Sequence, residues 1–268
     1  MPRSLPNTGR NASCNAEVPA GTLGGLDAEV GLARIAEGTV LDHRLALVHP
    51  EGGWLAIADL HYGFESHRRK QGALLPAWGM QTTRQAVLDL LAAHRPRTLI
   101  LVGDVMDGSG AADATAALLK ELRQEVPLLI PLLGNHDRPA LTRDEGFQSL
   151  HVEGRFLFHH GHEPMQVRAW LDQQARVPPG GWIHVCGHLH PGWRWRDGAG
   201  LSLRAPALLR ERLTAADDPL THAASAERWV LPAFSPWAAG GVLKSPHTRL
   251  GTWACLGGRV FAVPDGDA

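Results

Sequence analysis

Lysine is nearly absent from this sequence. Lys70, Lys120 and Lys244 are the whole complement, and arginine carries almost all of the positive charge. Arginine forks suit phosphate, but a genome-wide codon bias produces the same skew, so the shortage identifies no ligand. Net charge is also small. At a formal -1, the chain carries no bulk field that announces a nucleic-acid or membrane partner. Cysteine is limited to Cys14, Cys186 and Cys255. Three such thiols form no spaced framework and fit a reducing compartment. No apolar run reaches the ~18 residues of a membrane span. The N-terminus, MPRSLPNTGRNASCNAEVPAG, lacks the apolar core of a secretory signal, so Asn11-Ala12-Ser13 is discounted as a glycosylation acceptor. That stretch is rich in Pro, Asn, Ser and Gly. A disordered leader over residues 1–30 is expected, followed by one domain over 31–268, cytoplasmic and without a membrane partner.

What is abundant is histidine, at 15 residues in 268, and several stand at the ends of apolar runs. The runs themselves read as strands: 45–49 and 54–61 joined by a Pro-Glu-Gly-Gly turn, then 98–104, 126–135, 155–162 and 182–188. Pro127 and Pro131 are awkward in a central strand, so a bulge or short break is expected at Pro131. Helical periodicity marks 79–94 and 111–125, and a shorter helix is expected over 164–175. WRWRD and LSLRA read as a hairpin, 206–226 as a short helix with a polar loop, and the closing segments RWVLPAF and TWACLGGRVFAV as strands. Strand-helix-strand order followed by mostly strands predicts an α/β sandwich of two sheets.

The strand ends carry the chemistry. One run ends in Asp59-Leu60-His61, the next in Gly103-Asp104 with Asp107 three residues on. The third ends in Gly134-Asn135-His136-Asp137. The fourth ends in His159-His160-Gly161-His162, and the fifth in Gly187-His188-Leu189-His190. One such ending is noise, but five deliver metal-type ligands or an acid–base group to the edge where α/β sheets bind ligands. A pair of divalent cations ~3.5–4 Å apart hydrolyses phosphate esters. Holding them so close needs an anionic bridge, for which Asp104 is the candidate. Imidazoles and a carboxamide keep the rest of the site positive toward phosphate. In D-x-H and H-x-H, strand alternation is expected to aim both ligands to one side, with Gly103, Gly134 and Gly187 allowing tight turns. Alternation also turns His159 away from His160 into a structural role, and His184 is expected to be packed within its strand.

The blocks DLH, GDxxD, GNHD, HGH and GHLH, in that order over residues 55–190, resemble the calcineurin-like metallophosphoesterase family. The resemblance implies a four-layer αββα sandwich of two mixed sheets flanked by helices, a dinuclear metal site and phosphate ester hydrolysis. Carried over block by block, it implies that Asp59, His61 and His190 bind one metal and that Asp104 bridges. Asn135, His160 and His188 would bind the second metal, with His162 as the substitute for His160. His136 would be catalytic, protonating or stabilising the leaving oxygen while a hydroxide shared by the cations attacks phosphorus in line. Either Asp107 or Asp137 would orient an imidazole from behind. Oxygen and imidazole donors without cysteine suit two manganese ions, with iron or zinc as alternatives.

Residues 231–241 (LPAFSPWAAGG) and the compact C-terminal half also resemble a bacterial subgroup of DNA-ligase-associated or DNA-repair phosphoesterases, similar to small nucleases of the Mre11/SbcD type. That implies a nucleic-acid phosphodiester as substrate, single-stranded nucleic acid as ligand, and DNA-repair partners. His67, Arg68, Arg69 and Lys70 are candidates to meet a phosphate backbone. Trp193 and Trp195, interleaved with Arg194 and Arg196, are candidates to stack bases, set against a plain amphipathic hairpin. The alternatives are a phosphatase of a small metabolite, in a pocket walled by a 62–78 loop and residues 191–226, and a non-catalytic scaffold on the same fold.

Overall fold

The computed structural model describes residues 28–75, 78–108, 111–196, 199–238 and 240–264. Most of the expected leader lies outside them; its last residues, Ala28–Val30, form strand β1. In chain order there follow β2 (Leu32–Arg34), β3 (Val40–Asp42), β4 (Ala46–His49), β5 (Trp54–Ile57), α1 (Phe64–Lys70), α2 (Gly79–His94), β6 (Thr98–Leu101), α3 (Ala112–Glu125) and β7 (Leu128–Pro131). The remainder is α4 (Pro139–Thr142), β8 (Leu150–Glu153), β9 (Phe156–His159), α5 (Pro164–Asp172), β10 (Trp182–Cys186), β11 (Gly192–Arg196), β12 (Ser202–Arg212), β13 (Ser225–Val230), β14 (Thr248–Leu256) and β15 (Arg259–Val263). None of the described helices is long and apolar enough to cross a membrane.

Two mixed sheets face each other. The first runs β2-β3-β4-β5-β6-β7 and the second β1-β15-β14-β12-β13-β10-β9-β8, with β11 hydrogen-bonded to β12. Alternation sorts the side chains. On β5 and β6, Leu55, Ile57, Leu99 and Leu101 pack against Leu90 of α2 and Leu118 and Leu122 of α3. Ala56 and Ile100 point the other way, into a core shared with Phe158, Val185 and Trp229 of the second sheet. Behind that sheet, Val167 and Leu171 of α5 cover Leu157 and Trp182. The result is helices, sheet, sheet, helix: the four-layer α/β architecture expected.

β5, β6 and β7 are parallel, as are β9, β10 and β13. Their C-terminal ends meet where the two sheets touch, and Ala58 forms a bridge to Ala233 there. β7 is an edge strand, which is why Pro131 is tolerated as its last residue, a break and not a bulge, while Pro127 precedes the strand.

Two expectations are corrected. Residues 206–212 are not helical: they belong to the 11-residue strand β12, paired with β13 and β14. Leu, Arg, Glu and Ala there have good helix propensity, but tertiary pairing overrides it. Residues 64–70, expected as part of a loop, form α1, entered through Gly63 in the left-handed conformation (φ 86°). Seven residues are too few to show helical periodicity.

Candidate metal centre

Each candidate ligand stands just beyond a strand, not on it. Asp59 and His61 follow β5, Asp104 follows β6, and Asn135 follows β7. His160 follows β9, while His188 and His190 follow β10. Strand alternation therefore does not aim them, contrary to expectation. Left-handed backbone turns five of the seven; Asn135 and His160 are reached without it. Among the described residues eight non-glycines have positive φ, and five are Asp59 (56°), His61 (43°), Asp104 (45°), His188 (68°) and His190 (43°). Each such residue costs on the order of 1 kcal/mol and persists only where its surroundings over-determine it. Here those surroundings include main-chain bonds. Asp59 N–H donates to Gly103 O at 3.2 Å and His61 N–H to Asp104 O at 2.9 Å. Tyr62 N–H donates to Val105 O at 2.9 Å and Gly187 N–H to His160 O at 3.1 Å.

Glycine makes room at three close approaches. A Cβ on Gly103 would strike the His160 ring, one on Gly134 would strike Asp104, and one on Gly187 would strike the Asp59 carboxylate. Turns open at Gly134 and Gly187 as expected, with Asp137 N–H donating to Gly134 O at 3.3 Å and Leu189 N–H to Gly187 O at 2.8 Å, but only Gly103 of the three has positive φ (74°), so at Gly134 and Gly187 it is space that requires glycine.

Three donor clusters result among the described residues: His61, Asp107 and His136 form one, and the other two share an aspartate. Asp59, His61, Asp104 and His190 offer ligand atoms within 4.8 Å of one another, and so do Asp104, His160 and His188. Asp104 belongs to both. Its Oδ2 lies 3.2 Å from His160 Nε2 and 3.8 Å from His61 Nε2. His190 Nε2 is 3.2 Å from Asp59 Oδ1 and 3.4 Å from His61 Nε2, so the two imidazole nitrogens face each other between Asp59 and Asp104. Asn135 Oδ1 is 3.2 Å from His160 Nε2. The Asp59 and Asp104 side chains are buried at 0% and 2% exposure, an expensive place for two carboxylates unless cations or imidazoliums compensate. Converging oxygen and imidazole donors, two buried carboxylates and glycine cradles fit divalent cations. The carboxylates also act on protons. Burial disfavours the charged forms of His61 and His160, but hydrogen bonds and the fields of Asp107, Asp104 and Asp59 raise both above the ordinary imidazole range. Burial likewise opposes ionisation of Asp104, yet His160, the His136 N–H and His61 hold it well below the usual carboxylate range.

Asp107 and Asp137 separate cleanly. Asp107 Oδ1 lies 3.2 Å from His61 Nδ1 and 3.4 Å from His136 Nδ1, so it is the carboxylate between two imidazoles. Asp137 instead accepts the N–H groups of Met106 and Gly134, both at 2.9 Å, and of Val105 at 3.4 Å. It ties the loop after β7 to the loop after β6, and burial pushes its carboxyl up to about 6 against those bonds. His136 donates its main-chain N–H to Asp104 Oδ1 at 2.8 Å, while its side chain stays 44% exposed.

The other histidines stand apart. His159 Nε2 meets His184 Nδ1 at 3.2 Å, and His184 Nε2 meets Ser225 Oγ at 2.9 Å, the two histidines buried and outside the clusters. The His162 ring is 5.2 Å from that of His160 but joins none of the clusters. His67, Arg68 and Arg69 lie on α1, not in a loop; the arginines are exposed, and His67 Nε2 is 3.1 Å from Gln71 Nε2. Trp193 is a core residue, 2% exposed among Ala205, Ala207, Ala254, Phe261 and Val263, with Trp195 packed against that cluster. Burial removes Trp193 as a stacking surface. The segment after β13 also reaches this centre: Ser235, within residues 231–241, donates its N–H to Asp59 O at 3.1 Å.

A family model described as calcineurin-like phosphoesterase matches residues 55–218. No curated protein sequence matches. Among solved structures, the Pseudomonas putida nuclease MPE superposes with a TM-score of 0.56 at 22% identity, covering 88% of this chain and 100% of that one. Yfce, a phosphoesterase from E. coli, gives 0.37 at 16% identity over 74% of this chain and 86% of its own. The Aquifex aeolicus protein AQ665 gives 0.33 at 17% identity over 54% and 81%. The first of these likenesses is one of fold.

Proposed function

The chain belongs to the calcineurin-like phosphoesterase family, a family of metal-dependent phosphoric ester hydrolases, and from that premise we propose that it cleaves phosphodiesters of nucleic acid or nucleotides. One observation carries the chemistry: two donor clusters share a single buried carboxylate, Asp104. We assign Asp59, His61 and His190 to one cation, Asn135, His160 and His188 to the other, and Asp104 to both. Manganese is the proposed metal, with iron or zinc as alternatives, since oxygen and imidazole donors without thiolate suit all three. When bound, such cations neutralise charge on the phosphoryl oxygens and activate a water nucleophile.

The chain's own groups do the rest. The His136 main chain is bonded to Asp104, so the imidazole is held in register with the shared carboxylate. Its Nδ1 faces Asp107, which leaves Nε2 to give a proton to the departing oxygen. Asp107 fixes the orientation of the ring from behind. Asn135 and His136 meet solvent, so an extended substrate reaches them without a closed pocket. Arg68 and Arg69 on α1 offer charge to its phosphates.

A second reading has its own observation. A cleft of about 270 Å³ lined by Leu45, Arg204, Pro206, Ser235, Pro236 and Gly240 adjoins the Asp59 backbone and has room for a small phosphorylated metabolite. Hydrolysis of bis(p-nitrophenyl) phosphate, p-nitrophenyl phosphate and a labelled single-stranded oligonucleotide, with manganese and with chelator, separates the two. Manganese-dependent cleavage of the diester and the oligonucleotide is expected. Activity on the monoester alone would transfer the assignment to a metabolite phosphatase.

A further inference from the structure

Beside the metal centre, three aromatic rings have gathered outside every hydrophobic core. Trp237 stacks on Phe64 with centroids 5.8 Å apart and planes at 15°. Trp78 lies 5.6 Å from Trp237 at 30°. The Arg68 guanidinium sits 5.3 Å from the Phe64 centroid. None of the three rings belongs to a buried cluster, and Trp78 is 51% exposed. A tryptophan at the start of α2 supplies no cap to that helix, so helix formation does not explain it.

The cluster is tied to the candidate ligands by short stretches of backbone. Phe64 N–H donates to His61 O at 3.1 Å, three residues after the ligand. Ser235 N–H donates to Asp59 O at 3.1 Å, and Trp237 follows two residues on, its N–H donating to Ser235 Oγ at 3.2 Å. The buried carboxylate of Glu65 accepts the Met80 N–H, which clamps the start of α2, and Trp78 with it, onto α1. Three separate segments therefore hold the rings at one flank of the metal centre.

We propose that Phe64, Trp78 and Trp237, with Arg68, form a stacking platform for bases of a single-stranded nucleic acid beside the phosphodiester being cut. Every base has a π-face, so aromatic platforms bind single strands with little sequence preference. A guanidinium against an aromatic ring adds cation–π attraction and leaves its charge for a phosphate. Charge complementarity favours this occupant over an apolar peptide: Arg68 and Arg69 are exposed on the same short helix. The inference rests on the nucleic-acid reading above and names the residues that would confer it.

The test is equilibrium binding of fluorescein-labelled oligothymidylate and of an abasic strand of equal length, in chelator, so that no turnover is needed. The wild-type chain should bind the base-bearing strand about tenfold more tightly than the abasic one. Trp78→Ala should erase that preference while leaving the abasic affinity within about twofold, and Trp78→Phe should restore most of it. Arg68→Ala should weaken both strands. Equal affinity of the wild type for the two strands, or an unchanged preference in Trp78→Ala, would overturn the platform. So would a concentration-dependent dimer lost in Trp78→Ala without any preference for bases, which would give the patch to a second copy of the chain. Hydrolysis of bis(p-nitrophenyl) phosphate reports the metal centre independently. If it proceeds normally while base preference is absent, the platform fails alone; if the metal-loaded chain cleaves no diester at all, the catalytic reading fails.

Discussion

Asp104 and His136 lie two loops apart in sequence and are joined by one hydrogen bond, yet their proposed roles predict different losses. Asp104 is shared by both clusters, so Asp104→Ala should bind less than one metal per chain after gel filtration in manganese. Finding two metals by elemental analysis would refute the shared role. His136→Ala should keep both metals and lose roughly 10²- to 10⁴-fold in kcat toward the diester. Asp107→Asn removes the charge between His61 and His136; metal affinity or turnover should fall by about 10- to 100-fold. The same substitution at Asp137 should act mainly through loop stability, because that carboxylate accepts the main-chain N–H groups of Met106, Gly134 and Val105. Residue types at the strand ends made the candidate ligands legible in sequence. The division of labour between Asp107 and Asp137 was not legible. Both are aspartates in adjoining blocks, and only the fold of the two loops decides which reaches an imidazole.

At the scale of elements, legibility followed length and pattern. α2 spans Gly79–His94, the bounds its apolar periodicity implies, because sixteen residues give four turns of signal. β12 was misread because its sequence carries helix-forming residues while its pairing is entirely non-local, and α1 because it is short. The aim of five of the ligands depends on left-handed residues after the strands, which nothing in a D-x-H or H-x-H pattern announces. The junction of α1 and α2 gives a prediction at this scale. Glu65 is 3% exposed and accepts a first-turn N–H of α2, where Trp78 supplies no cap. Glu65→Ala leaves that donor unpaired and should cost about 1–3 kcal/mol, read as a lower urea midpoint. An unchanged midpoint would mean that solvent or a rearranged turn satisfies Met80 instead.

For the whole molecule, protons and metals act on stability through different groups and in different pH windows. His184 is fully buried between His159 and Ser225, and burial pulls its pKa down to about 3. The unfolded chain protonates this residue near 6.5. Between those values the unfolded state binds the additional proton, so stability falls as pH drops through the window, by up to about 1.4 kcal/mol per pH unit. His159 shifts in the same direction. His61 and His160 carry the opposite sign: raised in the folded chain, they contribute stability that is lost as pH rises above 6.5. Manganese should replace that contribution, because cations bound only by the folded chain stabilise it by about 2.7 kcal/mol at a hundred times their Kd. Urea midpoints measured in chelator from pH 5 to pH 9, wild type beside His184→Asn, separate the buried histidine from Asp137, whose carboxyl near 6 titrates in the same window with the opposite sign. His184→Asn should flatten the acid side of the profile by about one proton while leaving the alkaline side unchanged. If the variant instead alters the alkaline side alone, the proton uptake belongs to the metal centre, and the buried pair is already charged in the native fold.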